Sequence, residues 1–221
     1  TGLPSEATAG IITSRASSHA FFIAGTNRAM LRFTLMNHLC RDLEQLKDNT
    51  RPADRIRQDV SRSPGGDSRV FYGTCLACHA GMDPLAQAFA YYDFNGVEGE
   101  AAGTLSWNGP GASDPFTGTR VKKKYWINSS NFVHGYITPD DGWENRWRHG
   151  VNAHLGWSPA LPGKGNGAKS LGQELAYSEA FAQCQVKKVF RTVCLRDPTT
   201  AGDHAAVATI TGAFKASGYN L

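Results

Sequence analysis

Cys75-Leu76-Ala77-Cys78-His79 is the stretch of this chain whose residue types and spacing could do chemistry. Two thiols three positions apart can reach the two vinyl groups on one edge of a porphyrin, and the histidine that comes next places an imidazole under the iron. The pattern predicts one covalent haem c, with Cys75 and Cys78 forming the thioethers and His79 the proximal ligand. Three other readings compete. Cys-x-x-Cys alone is also a thiol–disulfide redox pair, with Val70-Phe71-Tyr72 as a short strand feeding it. As half of a zinc site it needs two more ligands, and the chain has no second Cys-x-x-Cys and no His-x-x-x-His pair. A chance match is the third.

The residues after the motif favour haem. Asp83-Pro84 reads as an N-cap and then proline at the first helical position. A short helix is then predicted through Leu85, Phe89 and Tyr92, stopped by Asn95-Gly96. A thioredoxin-like site would instead run from its second cysteine into a long unbroken helix, so the Asp-Pro break weighs against it.

The run Cys78-His79-Ala80-Gly81-Met82-Asp83-Pro84-Leu85, with Ala88-Phe89 and Tyr92-Asp93-Phe94 after it, resembles the planctomycete-type cytochrome domains of large secreted bacterial proteins. In that family the haem motif is followed by Asp-Pro-Leu and an aromatic-Asp pair. The upstream region is similar too: a helix ending near Leu39-Cys40, a linker, then Arg62-Ser63-Pro64-Gly65-Gly66-Asp67-Ser68. So is Phe181-Ala182-Gln183-Cys184 with Val189-Phe190, which looks like the short helical domain often found after the haem module. Ala86 departs from the pattern, where the family often has Gly, and the larger domains that usually surround the module are not evident. The resemblance implies haem and secretion, with the Asp83-Pro84 turn orienting the proximal side. It implies no particular reaction, because the family's functions are mostly unassigned.

Composition bounds the rest. With 41% hydrophobic and 19% charged residues, the 221-residue chain has the make-up of a globular protein, and no apolar run approaches the length of a membrane span. It starts at Thr1 without a signal peptide, the expectation being a processed protein. Cys-x-x-Cys-His maturation is an export-side event, which places it in the periplasm or outside the cell. The formal charge of +4 is brought towards neutrality by two haem propionates. Lys122-Lys123-Lys124 reads as a solvated loop or strand edge, with a docking patch for an acidic partner as the rival reading. Nucleic-acid binding is not expected, since no recognised module accompanies the cluster.

Three cysteines remain. Cys184 and Cys194 fall on one predicted helix, where ten residues span about 15 Å, too far for a bridge. Either Cys40 pairs with one of them, or all three are buried thiols.

The elements that must position the motif are mainly helical. Leu31, Leu35, Leu39, Leu43 and Leu46 predict a helix over 28–47, capped by Thr26 or Asn27. Residues 95–140 read as loops with a strand or two near Val121–Ile127. Asp141-Gly142-Trp143-Glu144 predicts a short helix to Gly150, and Ser170-Leu171-Gly172-Gln173 a helix broken near Ser178. Phe181, Val189, Phe190 and Val193 make the next core stripe, and Val207, Ile210 and Phe214 the last. The expected fold is mainly α: a cytochrome-c-like haem region over 1–100, a loop-rich segment wrapping the haem over 101–167, and a C-terminal helical segment over 168–221.

The sixth iron ligand is the open position. Met82 comes too soon after His79 to cross the porphyrin and reads as packing, as do Met30 and Met36 on the first helix. His134, in the irregular segment among aromatics and glycines, is the candidate distal ligand, ahead of His149, His154 and His38. The resulting expectation is a secreted monohaem c-type cytochrome passing one electron to a redox partner protein or an extracellular acceptor. Cys75, Cys78, His79 and Pro84 would surround the cofactor. A haem enzyme or gas-binding module with an open distal site is the first alternative and a haem-containing assembly subunit the second, so the sequence leaves open whether the chain is an enzyme.

Overall fold

Helices carry this fold. The computed structural model describes residues 2–23, 25–97 and 102–220. Helix α1 spans Arg15–Phe21 and is capped by Ser14, whose side chain accepts from the Ser17 amide. Helix α2, Arg28–Thr34, passes into a π turn over Leu35–Leu39 and stops at Cys40, which is left-handed with φ 52°. The helix predicted over 28–47 is therefore shorter. A disulfide ties Cys40 to Cys184 where the chain turns, and Asp42 opens a separate 3-10 turn over Leu43–Gln45. Asn27 stands at the N-cap of α2, yet its side chain does not cap. It donates from Nδ2 to the carbonyls of Phe89 and Tyr92, at 2.9 and 3.2 Å.

The motif sits in a nearly unbroken helical run: α3 over Ser68–Val70, a π turn over Phe71–Cys75, then α4 over Leu76–Ala86. Val70-Phe71-Tyr72 is thus helical, not a strand. Asp83-Pro84 is inside α4 and breaks nothing. Pro84 supplies no N–H to the Ala80 carbonyl, but Met82, Leu85 and Ala86 on either side of it are buried in the main core, which holds the helix together. Phe89 then lies in a 3-10 turn and Tyr92 in a strand, so neither extends a helix.

Two small antiparallel sheets brace the helices. Strand β1, Tyr92–Asn95, pairs with β2, Thr104–Trp107, with Tyr92 opposite Trp107. Strand β3, Gly142–Glu144, pairs with β4, Lys164–Asn166. The helix expected from Asp141 is instead this strand and then 3-10 turns, because the Asp141 carboxylate accepts from Asn166 across the sheet rather than capping. Val121–Ile127 holds a 3-10 turn in place of a strand. Lys124 there is not solvated: its ammonium donates to the Phe22 carbonyl at 2.6 Å and to Asp93 at 2.8 Å.

Three helices close the chain: α5 over Gly167–Ala176, α6 over Glu179–Cys194 and α7 over Ala201–Ala216. Ser178 marks the expected break, its hydroxyl capping α6 at the Phe181 amide. Helix α5 begins three residues before Ser170, whose hydroxyl bonds the Asn166 carbonyl and accepts from the Trp143 indole. The main core gathers α2, α4 and α5 around Trp147, Phe89 and Leu35, while Ala182, Val186, Val207 and Phe214 join α6 to α7. Val189, Val193 and Ile210, expected in these stripes, are largely exposed. Met30 and Met82 are core as expected, but Met36 is not. The fold is mainly α, and among the described residues no helix is long and apolar enough to cross a membrane.

Candidate cofactor-attachment site

One face of the α3–α4 run looks outward. Tyr72, Gly73 and Thr74 are exposed and Cys75, Cys78 and His79 half-buried, whereas Ala77, Ala80 and Gly81 point inward. Helical spacing produces this division: 72, 75 and 79 share a stripe, and 74 and 78 flank it. Both thiols are free. Cys75 packs on the small cluster of Ile56, Val60, Phe71 and Ala80. Cys78 Sγ lies 4.0 Å from the Leu43 carbonyl, and burial pushes its thiol pKa up.

That geometry is a poor thiol oxidoreductase. Low-pKa redox cysteines sit where a helix begins and its free N–H groups stabilise a thiolate. Here the helical run starts at Ser68, before either cysteine. The Asp-Pro break no longer bears on this choice; the upstream helix does. A bare zinc centre has no support either: among the described residues no group of three or more His, Cys, Asp or Glu is arranged to hold a metal ion.

The fourth residue after His79 supplies what the sequence reading missed. His79 Nδ1 lies 3.0 Å from Asp83 Oδ1, an i,i+4 pair on α4. Asp83 is fully buried and faces Arg28 of α2, which donates from Nε at 2.6 Å and from Nη2 at 2.8 Å. Arg28 also holds Asp59 through Nη1 and, at 3.0 Å, through Nη2. Burial alone would raise the Asp83 carboxyl, but the Arg28 charge and the hydrogen bonds from His79 and Arg28 outweigh it and hold the group well below the usual carboxylate range. An ionised carboxylate only accepts, so His79 donates from Nδ1, and in the neutral ring this leaves the lone pair on Nε2. Metal-bound histidines have this arrangement. The residues present therefore fit a haem: two free, half-buried thiols and a partly exposed imidazole share one side of the helix, and in the neutral ring the imidazole has the ligating tautomer.

Pro84 is buried in the second half of α4. His134 is exposed, its ring edge-on to Phe132 at 5.9 Å. Arg62 sits 4.6 Å over Phe132 and 4.8 Å over Phe71, one turn before Cys75. His134 is thus linked to the motif's flank through Phe132, Arg62 and Phe71. His149, His154 and His204 are exposed. His38 lines an apolar cavity of about 610 Å³ with Ile12, Tyr177 and Phe181, away from the motif cysteines. Comparison with protein-family models, with curated proteins and with solved structures finds no match for this chain.

Proposed function

We propose that the chain is an exported monohaem c-type cytochrome of cytochrome-c-like build that transfers one electron between a redox partner protein and an acceptor. The observation that carries this reading is the 3.0 Å contact of His79 Nδ1 with buried Asp83, which commits that nitrogen and leaves Nε2 to face a ligand on the same side of the helix as the free thiols of Cys75 and Cys78. Cys75 and Cys78 would hold the haem through thioethers and His79 would ligate iron; the haem itself supplies the one-electron couple. The exposed face explains how a partner gains access. The resemblance of the Cys78–Leu85 run to planctomycete-type cytochrome domains supports the same cofactor and an extracytoplasmic location. His134 is the proposed distal ligand; its ring contacts Phe132, which stacks under Arg62 together with Phe71.

The test is a mass and a spectrum of protein made with a c-type maturation system. The denatured polypeptide should be heavier by one haem and keep its haem absorbance after acid–organic extraction. Unmodified thiols at Cys75 and Cys78 would end the reading. His134→Ala should turn the iron high-spin and open it to carbon monoxide, with the covalent attachment intact. A wild type already high-spin would clear His134 and shift the reading to an open-site enzyme or gas sensor.

A further inference from the structure

We propose that Asp83, clamped by Arg28, is a positioning residue that makes His79 a strong donor and holds the iron at a low reduction potential. This rests on the haem reading of the site. A histidine that donates its second N–H to a carboxylate carries more negative charge on the ligating nitrogen than one bonded to a neutral carbonyl. A more basic ligand stabilises ferric over ferrous iron, because ferric iron carries the extra positive charge.

Three features of Asp83 make it such a partner. It has no exposed side-chain surface, so solvent does not screen its charge from the ring. Its acceptor positions are all engaged: Oδ1 takes Arg28 Nε and His79 Nδ1, and Oδ2 takes Arg28 Nη2 and, at 3.4 Å, the Arg57 amide. The clamp is itself anchored, since Arg28 donates to Asp59 and, at 3.0 Å, to the Thr26 hydroxyl. Side chains from α2, the linker and α4 thus converge behind one imidazole. A purely structural ion pair would have no need to include the ring. Pairing this carboxylate with His79 sets the protein up as an electron donor with an oxidised resting state, not as a strong oxidant.

Two measurements test it. Nitrogen NMR of His79 in haem-free protein, where Nε2 carries no metal, should find the neutral ring's proton on Nδ1. A proton on Nε2 would overturn the inference, and this readout does not depend on Asp83→Asn folding. In haem-loaded Asp83→Asn the midpoint potential should rise, with a smaller rise in Asp59→Asn, which removes a charge from the same arginine without touching the ring. An unchanged potential in Asp83→Asn that retains covalent haem overturns the inference alone. A wild type that never takes up covalent haem overturns the function it rests on.

Discussion

At the scale of single residues, Arg28 is a costly contact to lose. It is mostly buried and satisfies two carboxylates, one of them with no exposed surface. Breaking a buried pair by removing one partner leaves an uncompensated charge, which costs about 3–5 kcal/mol. Arg28→Ala should lose that much in urea unfolding; a loss below about 1 kcal/mol, the size of an exposed pair, would mean that water reaches Asp83. This cluster was only half legible in the sequence. His79 and Asp83 stand four apart on a helix, a readable signal, but reading Asp83 as an N-cap hid it. Arg28 and Asp59 lie 55 and 24 positions from Asp83, and nothing local announces that the chain brings them together. Cys75, Cys78 and His79 could be grouped from the sequence because they are near neighbours along one helical run.

At the scale of elements, α4 docks through a small residue. Gly81 faces Trp147, whose indole is fully buried, and an added methyl would lie only 2.1 Å from its Nε1. Gly81→Ala should therefore cost about 1–3 kcal/mol of overpacking, seen as a lower thermal midpoint and a changed tryptophan emission. A neutral substitution would show that Trp147 has room to move. The same helix shows why local signals misled. Asp-Pro is a sound start signal in isolation, but the buried residues around Pro84 hold the helix through it. Asp141 failed as a cap for the complementary reason, its carboxylate being taken by Asn166 from a strand 25 residues away. The break near Ser178 was legible because the hydroxyl that caps α6 there needs only the Phe181 amide three residues on. Exposure along α6 and α7 was not legible either: Val193 and Ile210 fit helical spacing, but the two helices bury only one narrow face against each other.

At the scale of the whole molecule, stability should depend on pH in two stages. Burial and the Lys188 charge lower the His38 pKa, so the unfolded chain binds a proton that the native protein resists, and stability declines as pH falls below about 6.5. Asp59 is also held low: burial opposes this, but the Arg28 hydrogen bonds and charge outweigh it. Its contribution is complete above the unfolded value and is lost as pH drops below about 4. Denaturant midpoints from pH 8 to 3 should show a shallow decline and then a steep one, and His38→Gln should remove the first. The disulfide that stops α2 has a different bearing, on the order in which the protein is made. Cys40 and Cys184 are separated by 144 positions, and Cys75 and Cys78 lie between them. A chain emerging from its N-terminus into an oxidising compartment presents Cys40 first, the motif thiols next and the correct partner, Cys184, only after them, ahead of Cys194. Thioether formation would then act as a kinetic chaperone, withdrawing the two decoy thiols before Cys184 arrives. Protein produced without haem attachment should accumulate bridges from Cys40 to Cys75 or Cys78, and Cys75→Ser/Cys78→Ser should restore the native pairing without any haem.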